Sequence, residues 1–251
     1  MELSKRLTAV ASLVTAGYRV ADIGTDHGYV PIYLIEQGMI PGAVAMDVNP
    51  GPLERAAENI RAHGLETQIQ TRLSDGFAAL KPGEADTAVI AGMGGALTVR
   101  ILSEGAEVVR SLKECVLQPQ SEIEKVRSFL LEKGFLFIRE DMVEEDGKYY
   151  PMMKVQPPSR DWRKDGTETE DEGKAWSTEE LRYGRLLLEQ GHPVLRQYLL
   201  RELRIKEQIL RGIEGQETER AALRRKELEE ELDSIKKGMN YDALQRNHTG
   251  H

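Results

Sequence analysis

The stretch Val20-Ala-Asp-Ile-Gly-Thr-Asp-His-Gly-Tyr-Val30 decides the fold of this 251-residue chain. It opens with a short apolar run typical of a buried strand, continues with a glycine turn, and ends where a helix is predicted to start. A second apolar run, Ala43–Asp47, ends in a carboxylate. A strand, a glycine turn and the positive end of a helix together cradle a nucleotide-like cofactor. Thr25-Asp26-His27 stands where dinucleotide-binding turns usually carry another glycine.

Short apolar runs alternate with helical segments up to about residue 155. The predicted strands are Arg19–Ile23, Ala43–Asp47, Gln68–Leu73, Thr87–Ala91, Glu114–Gln118, Phe135–Glu140 and Tyr149–Val155. Helices are predicted where Leu3, Leu7, Val10 and Val14 recur, and over Val30–Gln37, Pro52–His63, Ala96–Ser111 and Ser121–Lys133. Ser121 and Glu124 are spaced as a capping box. This alternation predicts a mostly parallel sheet with helices on both faces.

The last two predicted strands have no helix between them. Because their connection, Asp141–Lys148, is short and polar, they should form an antiparallel hairpin at the sheet edge. Five strand–helix units followed by a hairpin is the layout of the class I methyltransferase sheet. The prediction for residues 1–155 is therefore an α/β, Rossmann-like, seven-stranded sheet whose last strand is antiparallel.

The remaining chain has a different composition. Residues 156–177 carry Pro157-Pro158 and a polar, acidic segment, and are predicted to be a linker. Residues 178–240 are rich in Glu, Arg, Lys and Leu, which predicts an antiparallel, coiled-coil-like helical hairpin, followed by a tail at 241–251. The two apolar stripes of this hairpin are Leu195, Leu199, Leu203, Leu210 and Ile213, and Leu228, Leu232, Ile235 and Met239.

The composition excludes several classes of protein. A net charge of −8 gives no global basic signature, so a nucleic-acid surface would have to be a local patch. A single cysteine, Cys115, excludes an internal disulfide and fits a reducing, cytoplasmic location. No apolar run approaches membrane-spanning length, and the five histidines form no i, i+4 pair, so neither a membrane nor a metal partner is expected.

Candidate cofactor residues follow the predicted strands. Asp47 could accept both hydroxyls of a ribose, although it could also cap the next helix. An acidic residue at the position of Asp75 commonly holds the adenine amino group in methyltransferase folds, but Asp75-Gly76 could be a simple turn. The full predicted cofactor set is Asp22, Gly24, Thr25, Gly28, Asp47, Val48, Asp75, Gly76, Gly92, Met93 and Gly94.

Two further segments belong to the same predicted rim. Gly92-Met-Gly-Gly95 follows the fourth strand, and its three glycines imply close backbone approach to a ligand or a mobile lip. Gln118-Pro119 ends the fifth strand, where a glutamine could hydrogen-bond a base edge or simply end the strand. His27 could shuttle a proton or be a structural histidine.

Several of these segments together resemble one family. Asp22–Pro31, Gly92–Gly95, Gln118-Pro119 and the strand that begins Lys148-Tyr149-Tyr150 are similar to the bacterial tRNA (adenine-22-N1)-methyltransferases, the TrmK family. The segments Leu3–Leu7 and Tyr183-Gly184 also fit, so the resemblance covers nearly the whole chain. It implies S-adenosylmethionine as the methyl donor, S-adenosylhomocysteine as its product, tRNA as the substrate, and a coiled coil that helps to hold the tRNA.

This resemblance assigns roles to the candidates. Asp26 is the first catalytic candidate, because a carboxylate near the base would stabilise the cationic product, and Gln118 and His27 are the others. Predicted substrate contacts are Arg6, Gly95, Pro119, Arg196, Arg201 and Arg204. The alternatives are a methyltransferase acting on another RNA, a protein or a small molecule, a nicotinamide-dependent oxidoreductase, and a non-catalytic RNA-binding module. The arginine-bearing helices could equally form a salt-bridged solvated face or dimerise, so a monomer or weak dimer is expected.

Overall fold

The computed structural model describes residues 1–158, 175–216 and 218–241. The chain divides into two compact units, Met1–Glu172 and Gly173–His251. Most of the predicted linker and nearly all of the predicted tail lie outside the described residues. Among the helices that are described, none is long and apolar enough to cross a membrane.

The first unit contains a seven-stranded sheet in the order β3-β2-β1-β4-β5-β7-β6. Its strands are β1 (Val20–Ile23), β2 (Ala43–Asp47), β3 (Ile69–Leu73), β4 (Thr87–Met93), β5 (Glu114–Pro119), β6 (Leu136–Glu145) and β7 (Lys148–Gln156). Its helices are α1 (Lys5–Ser12), α2 (Tyr29–Glu36), α3 (Pro50–Ala62), α4 (Gly95–Glu104), α5 (Ala106–Val109) and α6 (Ile123–Glu132). The first five strands run parallel, and β7 is antiparallel to both β5 and β6. The predicted fold is confirmed.

The central strands are buried on both faces. Ala21 and Ile23 of β1 pack in one hydrophobic core, whereas Val20 packs in the other. In β5, Cys115 and Leu117 face the first core while Val116 faces the second. Since side chains alternate along a strand, successive residues can all be buried only where helices cover both faces. The burial of every residue in β1 and β5 therefore places these strands inside the sheet.

Local structure corrects three predictions. The capping box at Ser121 is wrong: α6 begins after Glu122, which has φ 50°, and the Ser121 hydroxyl instead accepts a hydrogen bond from Gly95 N–H at 3.3 Å. The helix predicted over 96–111 is two helices that meet at Gly105, where a Cβ atom would lie 2.3 Å from the Phe77 side chain. The β6–β7 connection is only Asp146-Gly147, because both strands extend further than predicted.

The second unit is helical and is described separately. Its helices are α7 (Thr178–Tyr183), α8 (Arg185–Glu189), α9 (Pro193–Gly212) and α10 (Glu219–Met239). Lys206 pairs with Glu231 at 2.5 Å, and Arg225 donates to the Ile213 carbonyl at 3.5 Å. Residues later in α9 therefore contact residues earlier in α10. This contact pattern is that of an antiparallel hairpin, as predicted.

The apolar stripe of α9 is most deeply buried near the start of this helix. Both predicted stripes reach the seam: Leu195, Leu199, Leu228, Leu232 and Ile235 are buried. The far half is looser, because Leu203, Leu210 and Ile213 are only half-buried. Met239, predicted to belong to the second stripe, is exposed.

Candidate active site

The predicted site residues lie along one edge of the sheet. Because β1, β2, β4 and β5 are parallel, their carboxyl ends meet at the same edge. This edge carries the turn at residues 24–28, Asp47, the glycines at 92–95 and Gln118. In open α/β sheets this is the edge at which ligands bind.

The glycine turn after β1 fits closely against β4. Gly24 has φ 76°, and the N–H groups of Gly24 and Thr25 donate to the Met46 carbonyl at 2.7 and 2.9 Å. A Cβ atom on Gly24 would lie 2.1 Å from the terminal methyl of Met93. Gly28, at φ 69°, ends the turn and caps α2. Both glycines are therefore required by backbone conformation, and Gly24 also by space.

Asp22 is a buried carboxyl group beneath this turn. The Thr25 hydroxyl donates to Asp22 Oδ2 at 2.6 Å. Burial raises the pKa of Asp22 to about 6, the Thr25 hydrogen bond opposes that rise, and the nearby charge of Asp47 adds to it. Two carboxyl groups held close together attract a cationic ligand, because a positive charge relieves both the burial cost and their mutual repulsion.

Asp47 has the geometry expected of a ribose-binding carboxylate. Its Oδ1 accepts from Asn49 N–H at 2.8 Å, and Oδ2 has no hydrogen-bond partner among the described residues. Asn49 is the N-cap of α3, and its own side chain forms no capping hydrogen bond, so the ribose-binding role of Asp47 and its role at the start of this helix both stay predictions. Asp47 is 9% exposed, while Val48 beside it is 55% exposed, so a buried acceptor adjoins an open apolar surface.

Asp75 is less available than predicted. Its carboxylate forms an ion pair with Arg100 at 3.0 Å at the surface. Gly76 follows with φ 55°, and a Cβ atom there would lie 3.2 Å from Ile101. The conformation of the turn is therefore sufficient to explain Gly76, and the adenine-binding role of Asp75 stays a prediction.

Asp26 and His27 form the exposed centre of the turn. Asp26 has φ 37°, an unusual conformation for a residue with a side chain. Its carboxylate, 61% exposed, pairs with Arg55 at 2.9 Å and lies 3.5 Å from His27 Nε2. The His27 ring stacks on Tyr29 with centroids 4.9 Å apart. Sequence reasoning missed Arg55, which lies in α3 and carries no local pattern that would point to Asp26.

Gln118 is fully buried, and its amide oxygen accepts two hydrogen bonds at the rim. The donors are Arg6 Nη1 at 2.9 Å and Gly92 N–H at 3.2 Å. Gln118 Nε2 lies 3.3 Å from the Pro119 carbonyl. This arrangement fixes the Gly92 turn and the Arg6 guanidinium. The prediction that Gln118 reads a base edge stays a prediction, with Nε2 as the end that could do so.

The structure adds two residues to this rim that sequence reasoning did not assign to the site. The Arg6 guanidinium lies over the Tyr150 ring, 5.6 Å from its centroid. Glu145 accepts hydrogen bonds from the Lys5 and Arg6 backbone N–H groups.

Gly95 starts α4 so close to Ser121 that a Cβ atom would lie 2.4 Å from the Ser121 carbonyl, so this glycine is required by packing.

The three predicted arginines of the second unit are exposed on α9. Arg196, Arg201 and Arg204 recur on the helix surface and leave the apolar seam to leucines. Basic side chains on α10 are engaged in ion pairs, as for Arg224 with Glu227 at 2.8 Å and with Glu231. Part of the basic surface of the hairpin is therefore a salt-bridged face, which is one of the alternatives predicted from the sequence.

Comparisons with known proteins agree with this geometry. Residues 3–153 match the model of the methyltransferase domain family. The chain is 37% identical over 166 residues, 66% of its length, to the tRNA (adenine(22)-N(1))-methyltransferase of Bacillus subtilis, and covers 70% of that protein. The crystal structure of the B. subtilis m1A22 tRNA methyltransferase TrmK superposes with a TM-score of 0.76 at 31% identity, with 95% of this chain and 99% of that chain covered.

A second solved structure carries a ligand. It is TrmK of M. capricolum in complex with S-adenosylhomocysteine, with a TM-score of 0.76 at 25% identity, covering 96% of this chain and 99% of that one. The matches extend over both units of the chain and include a relative that is more than 30% identical. The chain therefore belongs to the TrmK family of tRNA (adenine(22)-N1)-methyltransferases.

Proposed function

We propose that this protein transfers a methyl group from S-adenosylmethionine to N1 of adenine 22 in tRNA. The observation that carries the proposal is the buried carboxylate of Asp47, whose Oδ2 has no protein partner among the described residues and lies at the carboxyl edge of a TrmK-family sheet. Such an acceptor suits the paired hydroxyls of a ribose, which a nucleoside donor carries.

The residues around Asp47 suit S-adenosylmethionine in shape and charge. Gly24 and Gly28 give the turn the left-handed backbone conformation that it needs, and the exposed Val48 offers apolar contact to an adenine ring. Asp22, buried and close to Asp47, favours a cationic ligand over a neutral or anionic one. These residues would hold the donor, with Thr25, Gly92, Met93 and Gly94 completing the cradle.

The reaction requires little acid–base catalysis from the protein. S-adenosylmethionine supplies, when bound, a methyl group on a cationic sulfur, and the S–C bond electrons leave with the S-adenosylhomocysteine product. Adenine N1 has its own lone pair and needs no base to become a nucleophile. The protein contributes by aligning N1, excluding water and stabilising the positive charge that passes to the base.

Asp26 is proposed to stabilise that charge. Its carboxylate pairs with Arg55 at the surface of the turn, so one of its oxygens is already oriented. The cationic product would share this carboxylate with Arg55, and His27 would support its position from 3.5 Å. On this basis, Asp26→Ala loses methyl transfer while the affinity for S-adenosylhomocysteine is largely retained.

The tRNA is proposed to contact both units. N1 lies on the Watson–Crick edge, so the target adenine must be unpaired or flipped out to reach Gly92–Gly95 and Gln118-Pro119. We assign residues 1–155 to catalysis, 156–177 to a linker, 178–240 to a helical domain and 241–251 to a tail. Arg196, Arg201 and Arg204 of the helical domain would bind phosphates. A monomer or weak dimer in the cytoplasm remains the prediction from the sequence.

The test is methylation of tRNA transcripts by the purified chain. Unmodified tRNA with adenine at position 22, incubated with protein and methyl-labelled donor, should yield 1-methyladenine on nucleoside analysis. The matched control is the same transcript with guanine at position 22, which should yield none. Methylation of both transcripts would redirect the proposal to another RNA site, and labelling of neither, despite binding of S-adenosylhomocysteine in calorimetry, would refute it.

A further inference from the structure

Tyr150 lies at the substrate edge of the sheet although it belongs to the last strand. Since β7 is antiparallel to β5, with Leu117 opposite Met153, the first residues of β7 reach the carboxyl end of β5. Tyr150 lies three residues before Met153, and Arg6 contacts both its ring and the Gln118 amide, so the ring lies at the edge that carries Gln118 and Gly92. Tyr150 is half-buried, so part of the residue is exposed to solvent.

The ring already holds a cation. The Arg6 guanidinium lies 5.6 Å from the ring centroid, and its Nη1 is fixed by the buried amide of Gln118. The first turn of α1 is held in place by Glu145, whose carboxylate accepts from Lys5 N–H at 2.5 Å. Arg6 forms no ion pair within the described part of the chain, so its remaining N–H donors are available at the rim.

The positive charge that the adenine gains in the reaction distinguishes the roles of the Tyr150 ring and the Arg6 guanidinium. Methylation at N1 makes the adenine cationic, so a guanidinium stacked on the base would oppose the reaction by like-charge repulsion. An aromatic face attracts a cation and also stacks on unpaired bases. A phosphate, in contrast, is the natural partner of an arginine. The base thus suits Tyr150, and the phosphate backbone suits Arg6.

We propose that Tyr150 stacks on the target adenine, replacing Arg6 over the ring, while Arg6 binds a neighbouring tRNA phosphate. This inference rests on the proposed function and deepens it by naming the subsite for the base. Gln118 is the positioning residue, since it orients the guanidinium from beneath. In the absence of tRNA, Arg6 shields the ring from water, and the incoming phosphate draws it away.

The test compares Tyr150→Leu and Tyr150→Phe in single-turnover methylation of the tRNA transcript. Loss of the ring should slow methyl transfer at saturating tRNA by about 10- to 100-fold, the scale of lost base stacking, and phenylalanine should restore most of the rate. Tyr149→Leu is the matched control, because its side chain points to the opposite face of the strand and the rate should not change. Arg6→Gln should raise the Kd for tRNA and flatten its salt dependence.

Three controls make the result decisive. Calorimetry with S-adenosylhomocysteine should give the wild-type affinity for the Tyr150 and Tyr149 variants, because neither residue belongs to the donor cradle. Thermal unfolding verifies folding, and the β-branched Tyr150→Ile replaces the leucine variant if that one fails to fold. Wild-type methylation together with an unchanged rate for Tyr150→Leu would overturn the inference alone. Absence of methylation by the wild type would overturn the proposed function and this inference with it.

Discussion

Replacing Asp22 by asparagine tests whether the buried carboxyl group beneath the glycine turn destabilises the folded state. Burial raises the pKa of this carboxyl group from 3.8 to about 6. At about 1.4 kcal/mol per pKa unit, keeping Asp22 ionised costs the folded state about 3 kcal/mol at pH 8. Because the folded pKa lies above the unfolded one, the folded state binds more protons between about pH 4 and 6. The stability contributed by this group is therefore present at low pH and is lost as the pH rises through 6.

Asp22→Asn should therefore stabilise the protein in a pH-dependent way. Asparagine keeps an oxygen that can accept from Thr25, so the 2.6 Å hydrogen bond can be retained. Urea unfolding of the full chain should show a gain of about 3 kcal/mol at pH 8 that shrinks to about 1.5 kcal/mol at pH 5. Affinity for S-adenosylmethionine, whose sulfur is cationic, should fall more than affinity for S-adenosylhomocysteine, because the cradle loses a negative charge.

Asp86→Asn is the matched control with the opposite sign. Hydrogen bonding from the Arg19 backbone N–H and the nearby Lys113 lower the pKa of Asp86, so its stabilisation is present at neutral pH and is lost in acid. This variant should be destabilised at pH 8 and less so as the pH falls. A gain for Asp22→Asn that is equal at pH 5 and pH 8 would show that ionisation of Asp22 carries no burial cost, and would refute the reasoning.

Three further outcomes follow from packing and burial. Gly24→Ala should abolish binding of S-adenosylhomocysteine in calorimetry, because φ 76° is strained for alanine and the new methyl would meet Met93 at 2.1 Å; wild-type affinity would contradict the role given to this turn. Burial raises the pKa of the Cys115 thiol, so iodoacetamide at pH 8 should label the protein in urea but not in the native state, as intact-mass measurement would show. Glu140→Gln removes the charge that faces Arg127 at 2.9 Å in a site only 1% exposed, and should cost about 3 kcal/mol in urea unfolding; a loss below about 1 kcal/mol would show that this buried pair is dispensable.

The sheet could be predicted from the sequence because its determinants are local. Each central strand is a short, mainly apolar run, and the absence of a helix between the last two strands predicts a hairpin, although the turn Asp146-Gly147 is shorter than the predicted connection Asp141–Lys148. The boundary at Ser121 could not be predicted, since its hydroxyl bonds to Gly95 in a different strand–helix connection. A capping box needs that hydroxyl to be free, and tertiary contact decides whether it is.

The site residues likewise fall into those that local sequence predicts and those that only tertiary contacts bring together. Gly24 and Asp47 could be recognised from the sequence because each stands at the carboxyl end of a predicted strand. At these places a tight glycine turn and a ribose-binding carboxylate are expected. The pairing of Asp26 with Arg55 and of Gln118 with Arg6 joins residues 29 and 112 positions apart, which no local pattern reports. Tyr150 was part of a resemblance but had no role, because only the antiparallel placement of β7 brings its ring to the substrate edge.

The anchoring of α1 on the β6–β7 hairpin has a consequence for synthesis of the chain. Lys5 donates to the Glu144 carbonyl across 139 residues of sequence, so the loop that closes this contact is nearly as long as the unit itself. Loop closure of this length is slow and depends on the rest of the sheet being formed. A nascent chain thus carries Arg6 from the start of translation but cannot seat it until β7 has left the ribosome. The rim that carries Arg6 is therefore completed only after the last strand of the sheet has been synthesised.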